Sequence, residues 1–349
     1  MEHFSSKNLP NLTQNPFRPQ LRLKLAVLAS FTLLLAITSY ANAALKVGIV
    51  FDRGGKDDKS FNASAYKGVL EAEKQLKIEL KYVEAQDDNA FESLLRAFAK
   101  KKFDLIIGVG MSQAEAIKKV APQFPEAHFA IVDAEVAAPN VRSLLFEEHE
   151  GSYLVGAIAA LTSKTGKVGF IGGVDCPLIR RFELGYKEGA KKANPKVEIS
   201  SNFVGVTSEA WNNPPKAKEL AIAQYQSGVD VIFAAAGASG SGLFDAAEEK
   251  KKFAIGVDSN QNWVKPGLIL TSMLKRVDEA VFLTCKDAVE GHFTPGIVRY
   301  GLPNNGVGYA LDENNKKVLT ADVIKKVEAL KSDIIAKKIV VSDFYTIKK

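Results

Sequence analysis

The chain has 349 residues, of which 46% are hydrophobic and 25% are charged. This composition is typical of a folded protein and excludes a largely disordered chain or a membrane protein with several spans. The length exceeds one domain of about 100 to 200 residues and predicts two. The formal net charge is +6, but the first 43 residues, with four basic residues and one acidic residue, contribute +3 of it. The remaining charges are too evenly balanced to indicate a nucleic-acid partner.

The N-terminus has the pattern of a secretory signal peptide. Residues 1–24 are polar and basic, and residues 25–38 form an almost uninterrupted apolar run. Ala41 and Ala43 are small residues at the two positions that a signal peptidase recognises before its cleavage site. The alternative is an uncleaved membrane anchor, but 14 apolar residues fall short of the roughly 20 needed to span a bilayer. We expect cleavage after Ala43. No cysteine adjoins the apolar run, so the pattern indicates a freely diffusing periplasmic protein and no lipid anchor.

From residue 45 onward, short apolar runs rich in β-branched residues alternate with helical stretches. This alternation is typical of βαβ units around a parallel sheet, whose strands are apolar throughout because helices cover both faces. The first series predicts strands at 46–51, 79–83, 105–109, 129–132 and 141–146, and helices at 60–75, 89–101 and 112–120.

A second series follows a helix predicted at 152–161. It predicts strands at 167–171, 198–204, 229–234, 253–257 and 269–273, and helices at 178–193, 215–227, 241–250 and 277–290. Two doubly wound lobes therefore face each other, and we expect the chain to cross between them three times. The first lobe is predicted to hold residues 45–146 plus 258–276. The second is predicted to hold residues 147–257 plus 277–349, including a tail helix at 321–336.

Charged residues follow several of these strands, at the sheet edge where open α/β sheets bind ligands. Asp52 follows the first strand, Asp133 the fourth, and Asp258 and Lys275 the last two strands of the second series. One aspartate after a strand is usually a turn or cap residue. Three of them at strand ends indicate a shared cleft.

The first turn, residues 52–62, and a later glycine-rich turn are the other candidate contacts. Asp58 or Ser60 can cap the helix that follows the first turn. Phe61 either packs the helix start onto the sheet or faces the cleft. The run at 237–242 can present backbone N–H groups to a ligand oxygen, but its spacing matches neither a phosphate-binding loop nor a dinucleotide fingerprint.

Residues with the spacing needed for catalysis or metal binding are scarce. The sequence contains no HExxH pair and no GxSxG elbow among its four histidines and its serines. Cys176 and Cys285 lack a second Cys or His at ligand spacing and are interpreted as separate packing residues. Asp57 and Asp58 allow a metal-dependent nucleoside hydrolase as an alternative, but nearby basic residues oppose a divalent cation. We expect no metal and no cofactor.

Four stretches carry a family resemblance: GGKDDKSFN at 54–62, FEEHEGSYLVG at 146–156, RRFELGY at 180–186 and KRVD at 275–278. They resemble the basic membrane protein family of solute-binding lipoproteins, which includes the purine nucleoside receptor of spirochaetes. The resemblance extends from about residue 45 to the C-terminus. It implies the α/β fold of a type I periplasmic binding protein, with two Rossmann-like lobes, parallel sheets and three crossover strands. The ligand would bind in the cleft and pass to an ABC importer.

The same resemblance implies a set of nucleoside-binding residues. Phe61 matches the aromatic residue that stacks on the base from the first lobe. Trp211 stands where the family usually has a phenylalanine that stacks from the second lobe. Asp52 matches a carboxylate at the base edge, and Asn62 of the same motif is included in the site.

The polar residues expected around the ribose come from three strand ends. Asp133, Asp258 and Lys275 match these positions, and Gly237 matches a glycine loop beside the sugar. The exchange of phenylalanine for Trp211 changes the width of the pocket. The missing lipidation cysteine is the second departure from the family pattern.

The sequence therefore predicts a periplasmic binding protein, not an enzyme, that captures a nucleoside and delivers it to an ABC permease. A purine is favoured by the resemblance, and the protein is expected to be a monomer without a nucleic-acid partner. Two alternatives differ in what happens to the ligand. A sensor would present it to a membrane receptor, and a hydrolase would release the base.

Overall fold

Two six-stranded sheets organise the part of the chain that the computed structural model describes, residues 44–347. The predicted signal peptide, residues 1–43, lies outside the described residues. We call each sheet together with the helices packed on it a lobe. One cluster of buried apolar side chains runs through both lobes, and two smaller clusters fill the outer faces of the sheets.

The first sheet is parallel throughout. Its strands are β1 (Lys46–Phe51), β2 (Glu79–Glu84), β3 (Leu105–Val109), β4 (His128–Val132), β5 (Val141–Phe146) and β11 (Gly296–Tyr300), in the spatial order β11-β5-β4-β3-β1-β2. β3 is buried at every position, as expected for a central strand that helices cover on both faces.

In the described part of the chain, four helices pack on the first sheet: α1 (Phe61–Leu76), α2 (Ala90–Lys100), α3 (Ala114–Val120) and α8 (Val277–Val289). α1 and α8 approach each other closely at Gly68. A β-carbon at that position would lie 2.3 Å from the carbonyl oxygen of Asp278, so only glycine fits. This contact ties residues 277–289 to the first lobe.

The second sheet is parallel except at one edge. Its strands are β6 (Lys167–Val174), β7 (Glu198–Gly205), β8 (Val231–Ala235), β9 (Phe253–Asp258), β10 (Ile269–Lys275) and β12 (Val307–Tyr309), in the spatial order β12-β10-β9-β8-β6-β7. β12 runs antiparallel to β10. The helices of this lobe are α4 (Glu148–Thr162), α5 (Pro177–Ala193), α6 (Pro214–Gln226), α7 (Gly240–Lys250) and α9 (Ala321–Ile335).

The chain crosses between the lobes three times, from β5 to α4, from β10 to α8 and from β11 to β12. The predicted fold class, an α/β protein with two parallel-dominated sheets and three crossings, is confirmed. The strands also leave both sheets with their carboxyl ends toward the same region. That arrangement positions the site described below.

The predicted lobe membership of two segments is wrong. Residues 258–276 were expected in the first lobe, yet β10 pairs with β9 in the second sheet. Residues 277–349 were expected in the second lobe, yet α8 and β11 belong to the first. An apolar run such as β10 predicts a buried strand, but it carries no information about which of two similar sheets accepts it.

Most predicted elements form within two residues of their expected ends. α4 begins at Glu148, four residues earlier than predicted. Its first turn is rich in charged residues and lacks the apolar pattern from which the helix was predicted. β11 and β12 were not predicted. Both are short, and β11 is largely exposed, so neither shows the apolar run that marks a buried strand.

The two cysteines are free and lie in different helical regions, Cys176 before α5 and Cys285 within α8. Their expected role as separate packing residues agrees with this placement. Among the helices of residues 44–347, none has the length and apolar character required to cross a bilayer.

Candidate functional site

A cavity lies between the lobes, at the carboxyl ends of the strands of both sheets. It encloses about 580 Å³ of space between protein atoms, a figure that includes open solvent. All eight residues predicted to bind a ligand line this cavity: Asp52, Phe61, Asn62, Asp133, Trp211, Gly237, Asp258 and Lys275.

The first turn holds its charged groups through a dense set of hydrogen bonds. The side chain of Asp58 accepts from the backbone N–H groups of Ser60, Asn62 and Ala63 at 2.8 to 2.9 Å. Asp58 thus caps α1, one of the two caps that the sequence predicts. The Asn62 amide donates to Asp52 Oδ1 at 2.6 Å and to Asp58 Oδ2 at 3.0 Å. Asn62 therefore fixes the orientation of the Asp52 carboxylate.

Asp52 keeps one oxygen for the cavity. Its Oδ1 accepts from Asn62 and from the Gly54 N–H at 2.9 Å, whereas no described residue donates to Oδ2. Burial raises the pKa of Asp52 to about 6, although the hydrogen bonds from Asn62 and Gly54 lower it. The carboxyl group consequently changes charge near neutral pH.

This pKa shift predicts a dependence of stability on pH. In the unfolded chain Asp52 has its ordinary pKa of 3.8, and in the folded protein about 6. Between these values the folded protein holds a proton that the unfolded chain has released, so this group lowers the free energy of unfolding as the pH rises. Asp52→Asn cannot ionise. Relative to wild type, we expect it to gain up to about 3 kcal/mol between pH 4 and pH 7.

Urea unfolding at pH 4, 5, 6 and 7 measures this difference. The matched control is Asp57→Asn, on the same turn, whose wild-type side chain is 81% exposed. A stability difference between Asp52→Asn and wild type that is constant across this range would contradict the prediction.

Lys275 and Asp133 form a buried ion pair across the lobes. The ammonium group contacts Asp133 Oδ2 and lies 4.7 Å from the ring centroid of Phe61. Burial lowers the pKa of Lys275, but Asp133, Glu148 and Asp258 together raise it above its usual value, so the side chain stays charged. The second oxygen of Asp133, Oδ1, is buried and has no hydrogen-bond partner. Because Asp133 lines the cavity, this oxygen is a buried acceptor at the site that has no donor among the described residues.

Asp258 also joins the two lobes. Its Oδ2 accepts a hydrogen bond of 2.7 Å from the Ser60 hydroxyl, and burial raises its pKa to about 6 even though Lys275 lowers it. Asp133 and Asp258 both adopt the left-handed backbone conformation, with φ values of 68° and 62°. That conformation is uncommon for residues other than glycine and is concentrated at functional sites.

Two further polar contacts join the lobes at the rim of the cavity. The Ser208 hydroxyl donates to Asp88, and Arg53 lies 3.9 Å from Glu209. Ser208 and Glu209 belong to the short 3-10 helix that also carries Trp211. The lobes are therefore closed around the cavity, with Trp211 on the closing segment.

The aromatic walls come from different lobes. Phe61 is the first residue of α1 and lines the cavity. Of the two placements predicted for it, the structure has the one that faces the cleft. Trp211 packs on the end of β6, where a β-carbon on Gly173 would lie 2.4 Å from its ring. The absence of a side chain at Gly173 thus allows the indole to approach the strand this closely.

Gly173→Ala should displace this indole. The added methyl group overlaps the ring, and overpacking of this kind costs about 1 to 3 kcal/mol unless the ring moves. We expect a shifted Trp211 fluorescence maximum and weaker ligand binding. Gly308→Ala in β12 is the control, because its β-carbon would meet no atom within 4 Å. Unchanged fluorescence and affinity in Gly173→Ala would show that the ring is not held as described.

Several residues that line the cavity, most of them apolar, were not predicted. Met111 and Ser112 follow β3, and Leu178, Ile179 and Phe182 come from the first turns of α5. Met111 lies two residues after the end of the buried strand β3, and this position was available as a signal. Phe182 lies in the RRFELGY stretch, but nothing in its spacing identifies it as a wall residue.

Three potential metal ligands, Glu147, His149 and Asp343, cluster at the base of the second lobe. Arg181 lies among them. Its guanidinium group donates to Glu147 and Asp343 at 2.7 Å and is 3.1 Å from His149 Nδ1. Since a cation already occupies the centre of the cluster, we interpret it as an ion-pair network.

Comparison with known proteins agrees with this geometry. The family model described as "ABC transporter substrate-binding protein PnrA-like" matches residues 45–344. A CD4+ T-cell-stimulating antigen of Listeria monocytogenes is 37% identical, over 83% of this chain and 85% of its own. The ABC transporter nucleoside-binding protein BmpA of Lactococcus lactis subsp. cremoris is 34% identical, over 85% of this chain and 89% of its own.

A solved structure shows the same fold. The solute-binding protein of an ABC transporter system from Aeropyrum pernix K1 superposes with a TM-score of 0.77 at 33% identity, over 85% of this chain and 93% of that one. The prediction of a binding protein and not an enzyme is confirmed by these matches. The chain belongs to the Bmp family of PnrA-like substrate-binding proteins of ABC transporters.

Proposed function

We propose that the protein captures a purine nucleoside between its lobes, outside the cytoplasm, and delivers it to an ABC importer. One observation carries the proposal. A single cavity combines aromatic side chains from both lobes, Phe61 and Trp211, with a buried carboxylate oxygen of Asp133 that has no partner.

The aromatic walls suit a flat heterocyclic base. A base presents two π-faces, and aromatic rings bind such faces by offset stacking. Since Phe61 belongs to the first lobe and Trp211 to the second, a base held between them would contact both lobes at once. A purine offers a larger face than a pyrimidine.

The carboxylates suit the hydroxyl groups of a ribose. Asp133 Oδ1 lacks a donor within the described structure, and hydrogen bonds to an ionised carboxylate are stronger than those between neutral groups. Lys275 balances only one of the four aspartates that line the cavity. The excess of carboxylates disfavours a phosphate group and favours an uncharged nucleoside.

Family membership supports the transport role. Substrate-binding proteins of ABC importers bind a small molecule and a transporter, and the Lactococcus relative is named for nucleoside binding. A ligand that touches both lobes stabilises their closed arrangement. The closed form would then be the one that the importer receives.

Native mass spectrometry under competition tests the proposal. The ligand-free protein is incubated with adenosine, guanosine, cytidine and uridine at equal concentration, and the retained mass is read. We expect one purine nucleoside per chain, released intact on denaturation. Retention of a pyrimidine nucleoside alone, of a free base, or of none of the four would contradict it.

A further inference from the structure

The ammonium group of Lys275 has a second carboxylate behind it. Its Nζ contacts Asp133 Oδ2 on the cavity side and lies 3.8 Å from Glu148 Oε1 on the other. Lys275 is 2% exposed and Glu148 is 1% exposed. Glu148 does not line the cavity, so it does not contact a ligand there directly.

Glu148 is itself held by Arg181. The two side chains form a buried ion pair, and Arg181 also donates to the carbonyl oxygen of Phe146 at 2.7 Å. Phe146 ends β5 and Glu148 begins α4, so this contact fixes the first crossing between the lobes. Lys275 ends β10 at the second crossing. One network of charged side chains thus connects two of the crossings between the lobes to the cavity.

The C-terminal segment covers this network. Asp343 accepts from Arg181 Nε at 2.7 Å and from Nη2 at 3.1 Å, and the ring of Tyr345 lies 4.9 Å from the guanidinium carbon. The third crossing is attached as well, because Glu147 is 3.6 Å from Arg299. Arg181 is therefore bonded on every side and cannot move away from Glu148 without breaking several contacts.

The position of Lys275 decides how Asp133 meets a ligand. The ammonium group now binds Oδ2 and leaves Oδ1 free. Without Glu148, Asp133 would be the only carboxylate among the described residues within 4 Å of the ammonium group, which would then turn toward both of its oxygens. The free oxygen would then be lost to the ligand.

We propose that Glu148 is a positioning residue for ligand binding: held by Arg181, it retains Lys275 so that Asp133 keeps one oxygen free for a ligand hydroxyl group. This inference rests on the proposed function, because it assigns a hydroxyl-bearing ligand to the same cavity. It extends the site to residues that touch no ligand.

A double-mutant cycle in calorimetric titrations tests it. Glu148→Gln should weaken guanosine and adenosine binding about 10-fold, and its effect should nearly vanish when Asp133 is already Asn. Guanine and adenine, which lack the ribose, should bind Glu148→Gln and wild type alike. Because burial raises the pKa of Glu148 to about 7 despite the lowering by Arg181 and Lys275, the titrations are run at pH 8.

Two further variants complete the test, one of them as a matched control. Arg181→Lys keeps the positive charge but loses the planar fork, and should weaken nucleoside binding in the same direction by a smaller factor. Glu115→Gln removes the same charge from an exposed position, 77% accessible, and should leave affinity unchanged. The inference is overturned if the losses in affinity of Glu148→Gln and Asp133→Asn simply add in the double variant. It is also overturned if Glu148→Gln weakens the binding of nucleoside and free base equally.

A ligand-independent measurement separates this inference from the proposed function. The Nζ resonance of Lys275 is recorded in protein with 15N-labelled lysine and assigned with Lys275→Arg. We expect it to be sharp in wild type and shifted in Glu148→Gln. If wild type binds no nucleoside, the proposed function fails. If the resonance is the same in both proteins, the positioning role fails whatever the ligand is.

Discussion

Replacing Trp211 or Phe61 with alanine is expected to weaken purine nucleoside binding by about 1 to 3 kcal/mol each, roughly 5- to 150-fold in the dissociation constant. Each ring lines the cavity from a different lobe, so each variant removes one face of the proposed stack. Both side chains are only half-buried. We therefore expect little change in the free energy of unfolding, and calorimetric titration measures the loss in affinity.

The chain supplies a matched control for the tryptophan. Trp263 is the other of its two tryptophans, belongs to the same lobe and is 56% exposed, but it does not line the cavity. Trp263→Ala should bind the nucleoside like wild type. Affinity that stays unchanged in both Phe61→Ala and Trp211→Ala would remove the stacking role.

The second large effect concerns the hydroxyl groups of the ligand. If Asp133 and Asp258 accept hydrogen bonds from the ribose, a free base leaves two buried carboxylates without these donors. An unpaired buried group costs about 1 to 3 kcal/mol, so we expect the base to bind at least 10-fold more weakly than its nucleoside. The 2′-deoxynucleoside should lie between them.

The same titration series includes the nucleoside monophosphate. A phosphate group near several carboxylates meets repulsion that Lys275 alone does not offset, so the monophosphate should bind more weakly than the nucleoside. Arg180 is not expected to offset this repulsion either, because its guanidinium group already pairs with Asp175 and Glu183 at 2.7 Å. Equal affinity for nucleoside and free base, or for nucleoside and monophosphate, would mean that these aspartates do not recognise the ribose.

The convergence of the predicted residues on one cavity follows from how parallel sheets are built. Residues directly after apolar strands must lie at one edge, and Asp52, Asp133 and Asp258 are such residues. The capping role of Asp58 was also predictable from local sequence, because a carboxylate shortly before a helix commonly accepts hydrogen bonds from the first N–H groups of that helix. The family resemblance added Trp211, whose 3-10 helix has no periodicity that marks a wall of a cavity.

The lobe assignment and the charge network could not be predicted in the same way. β10 and α8 are adjacent in sequence but belong to different lobes, and their apolar patterns are compatible with either. Glu148 and Arg181 are 33 residues apart and come together only through the packing of α4 against α5. Contacts of that kind depend on tertiary structure, which local patterns do not encode.

The most direct test of the central claim is a crystal structure of the protein grown with guanosine or adenosine. The account predicts density for one nucleoside between the lobes, with the base between Phe61 and Trp211 and a ribose hydroxyl within hydrogen-bond distance of Asp133 Oδ1. A saturating nucleoside that binds elsewhere, or a cavity that stays empty in a closed protein, would contradict it.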